Sequence, residues 1–248
     1  MAYTDIDDPT AYFQTALYTG NAGTNNITFD GNSDMQPNLI WIKERGGTGS
    51  HIWVDTVRGI SSSSTPFIKS NSTGAEVTNN VNAFVTSSNS DGFSLGADSY
   101  FTDVNKNNST YASWNWKAGT SFTNDASATG IGSIDSAGSV NTDAGFSIVT
   151  YTSTTGTVFH GLGVAPKVIL MKATNNADQW TMGHASLPSW TYGLALNTTG
   201  AQDSNSAFWN STAPTSTVFS QGSWNDGYTK VAYCFAEKQG YSKFGSYT

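Results

Sequence analysis

Residues 38–44, NLIWIKE, set Leu39, Trp41 and Lys43 on one face of an extended chain and Ile40, Ile42 and Glu44 on the other. A run that is apolar on both faces predicts a strand packed on two sides. HIWVD (51–55), ASWNWKA (112–118) and KVILMKA (167–173) follow the same rule, led by β-branched and aromatic residues. Breakers separate them: ERGGTGS, SNSDGF, TNNAD and SWNDGY. Short strands spaced by turn signals predict an all-β sandwich or barrel. Helical periodicity is confined to DDPTAYFQTA (7–16), where Asp8 suits an N-cap and Pro9 the first helical position.

The pattern then repeats. TALYTGNAGT near residue 15 echoes SIVTYTSTTGT near residue 147. PNLIWIKERG echoes PKVILMKATN, setting Pro37 and Lys43 against Pro166 and Lys172. FSLG (93–96) echoes FSQG (219–222), and Trp114 and Trp116 stand against Tyr233 and Phe235. Four echoes in one order, at offsets falling from about 133 to about 119, predict a tandem duplication with loops shortened in the second copy. The expected organisation is an N-terminal attachment segment over 1–14, a first β-sandwich over 15–118 and a second over 144–240. A Gly/Ser-rich linker is expected at 119–143, either flexible or docked on a sheet through Ile131, Ile134 and Val140. YSKFGSYT (241–248) resembles GFSIVTYT and is expected to open a third copy.

Composition sharpens this reading. Hydrophobic residues are 37% of the chain, a low share that can mean disorder, but disordered chains are rich in charge and charged residues here are only 12%. Aromatic residues are 13%, with eight Trp, and these can fill interiors. The formal charge of −7 argues against a nucleic-acid partner, which calls for clustered Lys and Arg. No apolar run is long enough for a membrane helix, so no membrane insertion is expected, and no secretory leader pattern opens the chain. The single Cys234, inside VAYCFAE, reads as a core residue.

Candidate chemistry is sparse. His51, His160 and His184 lack the spacing of a zinc or catalytic motif. No nucleophile elbow or phosphate loop is present. Glu44, Asp55, Glu76 and Glu237 are the acids nearest strands and read as solvated edge charges rather than a hydrolytic pair. Asp30, Asn32 and Asp34 alternate as in a calcium loop, but Met35 stands where glycine belongs and Trp41 where the bidentate Glu belongs. That loop is either a simple turn or a β-turn calcium site. No catalytic residue, cofactor or metal ligand is therefore assigned. Trp41, Trp114 and Trp116 read as core by alternation. Trp53, Trp180, Trp190, Trp209 and Trp224 lie beside polar loops and read either as interior residues or as platforms for a sugar ring.

Four motifs together carry a resemblance: Pro37, Trp41 and Lys43; D-x-V-R-G at Asp55–Gly59; S-D-G-F-x-x-G at Ser90–Gly96; and W-x-W-K-A-G at Trp114–Gly119. They resemble a repeat of virion appendage proteins of tailed bacteriophages, marine phages in particular. The resemblance covers residues 12–119 well. The second copy lacks D-x-V-R-G and the Trp pair. It implies a concanavalin-like or jelly-roll β-sandwich on a tail fibre or related external appendage, with a host cell-surface glycan or protein as partner. It implies no catalytic residues. Contact with other virion proteins through the N-terminal segment and a homotrimeric assembly are further expectations. A ligand-free capsid decoration or tail connector protein and a polysaccharide depolymerase are the competing readings.

Overall fold

The computed structural model describes residues 4–79, 85–97 and 104–247. Contacts divide the chain into two compact units. One runs from Asp8 to Lys117, and the other from Ala118 onward together with the segment before Asp8.

In the first module a short 3-10 turn, Pro9–Ala11, leads into β1 (Phe13–Thr19), β2 (Asn25–Ile27), β3 (Leu39–Glu44), β4 (Ile52–Asp55) and β5 (Thr65–Lys69). Then come β6 (Val77–Asn79), β7 (Val85–Ser88), β8 (Phe93–Leu95) and β9 (Thr110–Trp116). Six strands form an antiparallel sheet in the order β1-β9-β3-β4-β5-β6, and three form a second in the order β2-β8-β7. Ile40, Ile42, Ile52, Val54, Phe67 and Tyr111 from the larger sheet meet Ile27, Val85, Phe93 and Leu95 from the smaller. This is the inner layer of a sandwich. Each fully buried aliphatic side chain there contributes about 1.5–3 kcal/mol.

The second module comprises β10 (Thr120–Asn124), α1 (Ala126–Thr129), β11 (Ser136–Asn141), β12 (Phe146–Thr152), β13 (Gly156–Phe159) and β14 (Val168–Ala173). It continues through β15 (Thr181–His184), β16 (Tyr192–Ala195), β17 (Asp203–Ser204), α2 (Ser206–Trp209), β18 (Val218–Gln221) and β19 (Thr229–Phe235). Its large sheet runs β10-β11-β12-β19-β14-β15-β16-β17, and β13 pairs with β18 beside it. From β12 onward this order reproduces that of the first module strand for strand.

The registers agree as well. Leu39 faces Trp116 across β3 and β9, and Val168 faces Phe235 across β14 and β19. Phe13 faces Trp116, and Phe146 faces Phe235. Ile27 faces Phe93 in the small sheet, and Val158 faces Phe219. Lys43 and Lys172 therefore occupy one position, as do Trp114 and Tyr233. The chain is all-β, two β-sandwich modules in tandem.

Three expectations about the boundaries need correcting. Residues 8–14 are part of the first module, not an attachment segment outside it. Asp8 Oδ1 accepts from the Thr10 amide at the start of the turn, as expected of a cap. The Gln14 side chain then donates to the carbonyls of Thr10 and Ser33. The helical turn stops at Ala11 because Phe13 begins pairing with β9.

Residues 119–143 are not a separate linker but docked, the second of the two readings above, with Ile134 in the core and Val140 packed against it while Ile131 is exposed. They form a hairpin, β10 and β11, paired on β12, with α1 capped by Asp125, which accepts from the Ser127 and Ala128 amides. Glycine serves close packing here. A Cβ on Gly138 would lie 2.1 Å from the Ile148 carbonyl oxygen and 2.8 Å from the Phe122 ring. Phe122 in turn packs edge-on against Phe159 at 5.2 Å.

Finally, residues 241–247 do not repeat the strand they resemble. Lys238 and Ser242 share one bridge, and Phe244 packs on Phe235 at 6.2 Å without joining a ladder.

Candidate functional site

The motifs of the resemblance resolve into architecture when their atoms are followed. In D-x-V-R-G, Asp55 closes β4 fully buried. Its Oδ1 accepts from the amides of Val57 and Arg58, and its Oδ2 lies 2.6 Å from Arg58 Nε. The guanidinium also donates to Glu76 Oε2 at 2.8 Å and to the Trp53 carbonyl. The motif is a self-bonded turn whose charges satisfy one another. Asp55 is thus a buried ion-pair member, not the solvated edge charge expected, and Glu76 is its neighbour through Arg58.

In S-D-G-F, Asp91 Oδ1 accepts from the Met35 amide. Gly92 has φ +98°, and a Cβ there would fall 1.9 Å from the Ile27 carbonyl oxygen. The repeated lysine clasps the turn after its strand in the same way in both modules. Lys43 Nζ donates to the carbonyls of Glu44 and Gly47, and Lys172 Nζ to those of Ala173 and Asn176.

The aromatic residues expected beside loops are mostly interior. Trp53, Trp180 and Trp209 are 1%, 0% and 1% exposed, so none offers a face to a sugar. Trp53 continues a ladder with Trp41 and Trp114, each step 5.1 Å between rings, across β4, β3 and β9. Trp180 stacks on Tyr233 at 6.2 Å. Trp190 meets Trp209 edge-on at 5.5 Å, and Trp224 meets Phe208 at 5.0 Å. Both half-buried rings pack against the second core, and Trp53 belongs to the other module.

The remaining candidates are distributed. The Asp30–Asp34 turn is tied by Gln14, which accepts from the Gly31 amide, and by Ser33, which donates to Asp8 Oδ2. Met35 is fully buried. Among the described residues no three His, Cys, Asp or Glu side chains gather as metal ligands. Glu44 accepts from the Gly49 amide and Glu237 from the Phe244 amide. His160 is buried. Its Nδ1 accepts from the Leu162 amide, so Nε2 donates to the Thr215 carbonyl, and burial pushes its pKa down to about 4. Loss of solvent likewise pushes the Cys234 thiol up to about 12, where it is inert.

One polar constellation was missed. Tyr111 and Leu95 of the first core are replaced at the same registers by Lys230 and Gln221 in the second. Gln221 Oε1 accepts from Tyr151 Oη at 2.9 Å and from Lys230 Nζ at 3.3 Å, and Lys230 also donates to the Trp224 carbonyl. Asp178 accepts from Trp224 Nε1 and the Asn225 side chain, joining the 174–180 turn to the 222–228 turn. Burial lowers both Lys172 and Lys230 to about 8, against the weaker pull of Asp178. Amines with such values can act as bases or nucleophiles. Here each Nζ is fixed on main-chain carbonyls, so the network fastens two turns to the core. The signal was a lone Lys on the core face of TKVAYCF.

A shallow groove of 380 Å³ lies at the end of β10–β12, lined by Thr123, Asp125, Asp135, Thr150, Thr152 and Thr229 among others. Its acids are partly engaged: Asp135 accepts from the Ala126 amide, and hydrogen bonds from Ser127 and Ala128 hold Asp125 below the usual carboxylate value.

Fold and side-chain geometry together define a tandem β-sandwich protein whose repeated residues build its turns. Residues 8–248 match a family described as a domain of unknown function, DUF7483, and the chain belongs to that family. The match spans both modules and starts at the residue where the first begins. No curated protein and no solved structure matches the chain.

Proposed function

We propose that this chain is a structural protein of a tailed-phage virion, part of a tail fibre or related appendage that presents β-sandwich modules for attachment to the host surface. The observation that carries the reading is the register-for-register duplication. Two copies keep the same strand order, the same lysine clasp and several shared aromatic positions, while the conspicuous polar motifs are consumed in holding turns. Such a repeated scaffold suits an appendage exposed to shear and salt. The four motifs of the first module supply the link to virion appendages. Recognition then belongs to the polar loops, since Trp53, Trp180 and Trp209 are buried and Trp190 and Trp224 are half-buried against the second core. The test is adsorption. Fab fragments raised against this chain should block attachment of the parent phage to its host, and particles lacking the gene should adsorb poorly. Normal adsorption by such particles would overturn the attachment role.

A further inference from the structure

The two modules differ at one edge. In the second, β12 is covered by β11, with Ser139 opposite Ile148 and Ala137 opposite Thr150. In the first, the equivalent strand β1 ends its sheet. The bonds Lys117 N–H to Tyr12 O and Gly20 N–H to Ser109 O fix the phase of the β1–β9 ladder. Gln14, Ala16 and Tyr18 therefore spend their main-chain groups on β9, and those of Thr15 and Leu17 point outward. These are the counterparts of Ile148 and Thr150, which are paired.

Natural edges are usually short, bulged, or guarded by Lys or Pro. Two other edges follow that rule: β17 has two residues, and β7 carries a register shift. By contrast β1, FQTALYT, is seven residues long, uncharged and unbroken. Its Leu17 is 68% exposed, more than any other large apolar side chain held in a strand among the described residues.

We propose that β1 pairs antiparallel with β1 of a second copy of this chain, making one continuous sheet across a twofold axis. The strand fits itself. Centring the axis on Ala16 sets Thr15 against Leu17 of the second copy, and the reverse, as hydrogen-bonded pairs using the outward groups. Phe13 and Thr19 pair at the ends. Ala16 meets its own copy in a non-hydrogen-bonded pair, where the backbones approach most closely, about 4.5 Å between Cα atoms, and a methyl group fits there. Each Leu17 gains a Thr neighbour on the same face. This twofold contact departs from the threefold assembly that the phage resemblance implies.

The full chain, measured by light scattering at micromolar concentrations, should have twice the 26.3 kDa chain mass. Leu17→Lys, which sets charge at the junction, and Thr15→Pro, which removes only an outward N–H, should each halve that mass. The variants should keep the circular dichroism of the parent. Independently of any variant, the Thr15 and Leu17 amides of the assembled protein should exchange hydrogen as slowly as that of Ala16. A monomer, a trimer in which those two amides exchange freely, or a dimer that survives both substitutions would each overturn the proposal. So would protection of the two amides only when an unrelated protein is added.

Discussion

Arg58→Met probes the buried turn that closes β4. The substitution keeps the aliphatic bulk and removes the guanidinium, which sits 2.6 Å from Asp55 and 2.8 Å from Glu76. Glu76 retains some solvent, with its side chain 22% exposed, whereas Asp55 has none. Most of the penalty therefore falls on Asp55. Breaking a buried ion pair by removing one partner costs about 3–5 kcal/mol. Asp55 keeps its two amide donors, which places the expected loss near the lower end, about 3 kcal/mol. At about 4 °C per kcal/mol, the low end for small domains, the first module should melt about 12 °C earlier. Differential scanning calorimetry of the full chain measures this. The double variant Arg58→Met, Asp55→Asn should regain about 1 kcal/mol or more, because a neutral amide oxygen still accepts from the turn without a stranded charge. A loss under about 1 kcal/mol for the single variant, or no recovery in the double, would refute the assignment of D-x-V-R-G as a charge-satisfied turn.

Further outcomes follow from the second module. Lys172 and Lys230 are held at about 8 against an ordinary 10.5, so between those values the unfolded chain binds more protons than the folded one. The lysines' contribution to stability should accordingly rise as pH increases from about 8 toward 10, on the order of 2 kcal/mol for each, and be lost again as pH drops through 8. In Lys230→Met the rise in urea-unfolding free energy over that range should be roughly halved; an unchanged slope would contradict the burial. Gly138→Val forces a side chain onto the Ile148 carbonyl, so the 120–141 hairpin should lose amide protection before the rest of the sheet does. Native protein should leave Cys234 unmodified by a thiol reagent at pH 8, with labelling only after denaturation; rapid native labelling would show that the thiol is not sealed.

Much of the fold was readable because duplicated strands leave their register in the sequence. The offsets between Phe13 and Phe146, Leu39 and Val168, and Trp116 and Phe235 are those of paired β-positions. The hairpin at 120–141 was half visible: docking through Ile134 and Val140 was one of two readings, while the many Gly and Ser read as flexibility although Gly138 leaves room for the Phe122 ring. The last residues misled in the opposite sense. YSKFGSYT has strand-like alternation, but alternation does not make a strand without a ladder partner. Asp55 looked solvated since only the fold reveals that Arg58, three residues on, turns back on it. The Lys230–Gln221–Tyr151 network was legible only as one lysine out of phase. Its meaning depends on Gln221, which the chain brings in from β18.

Immunogold labelling or cryo-electron microscopy of intact particles tests the central claim most directly. With antibodies against this chain, label should sit on the tail appendages. Label on the capsid faces, or particles that carry none, would contradict the account.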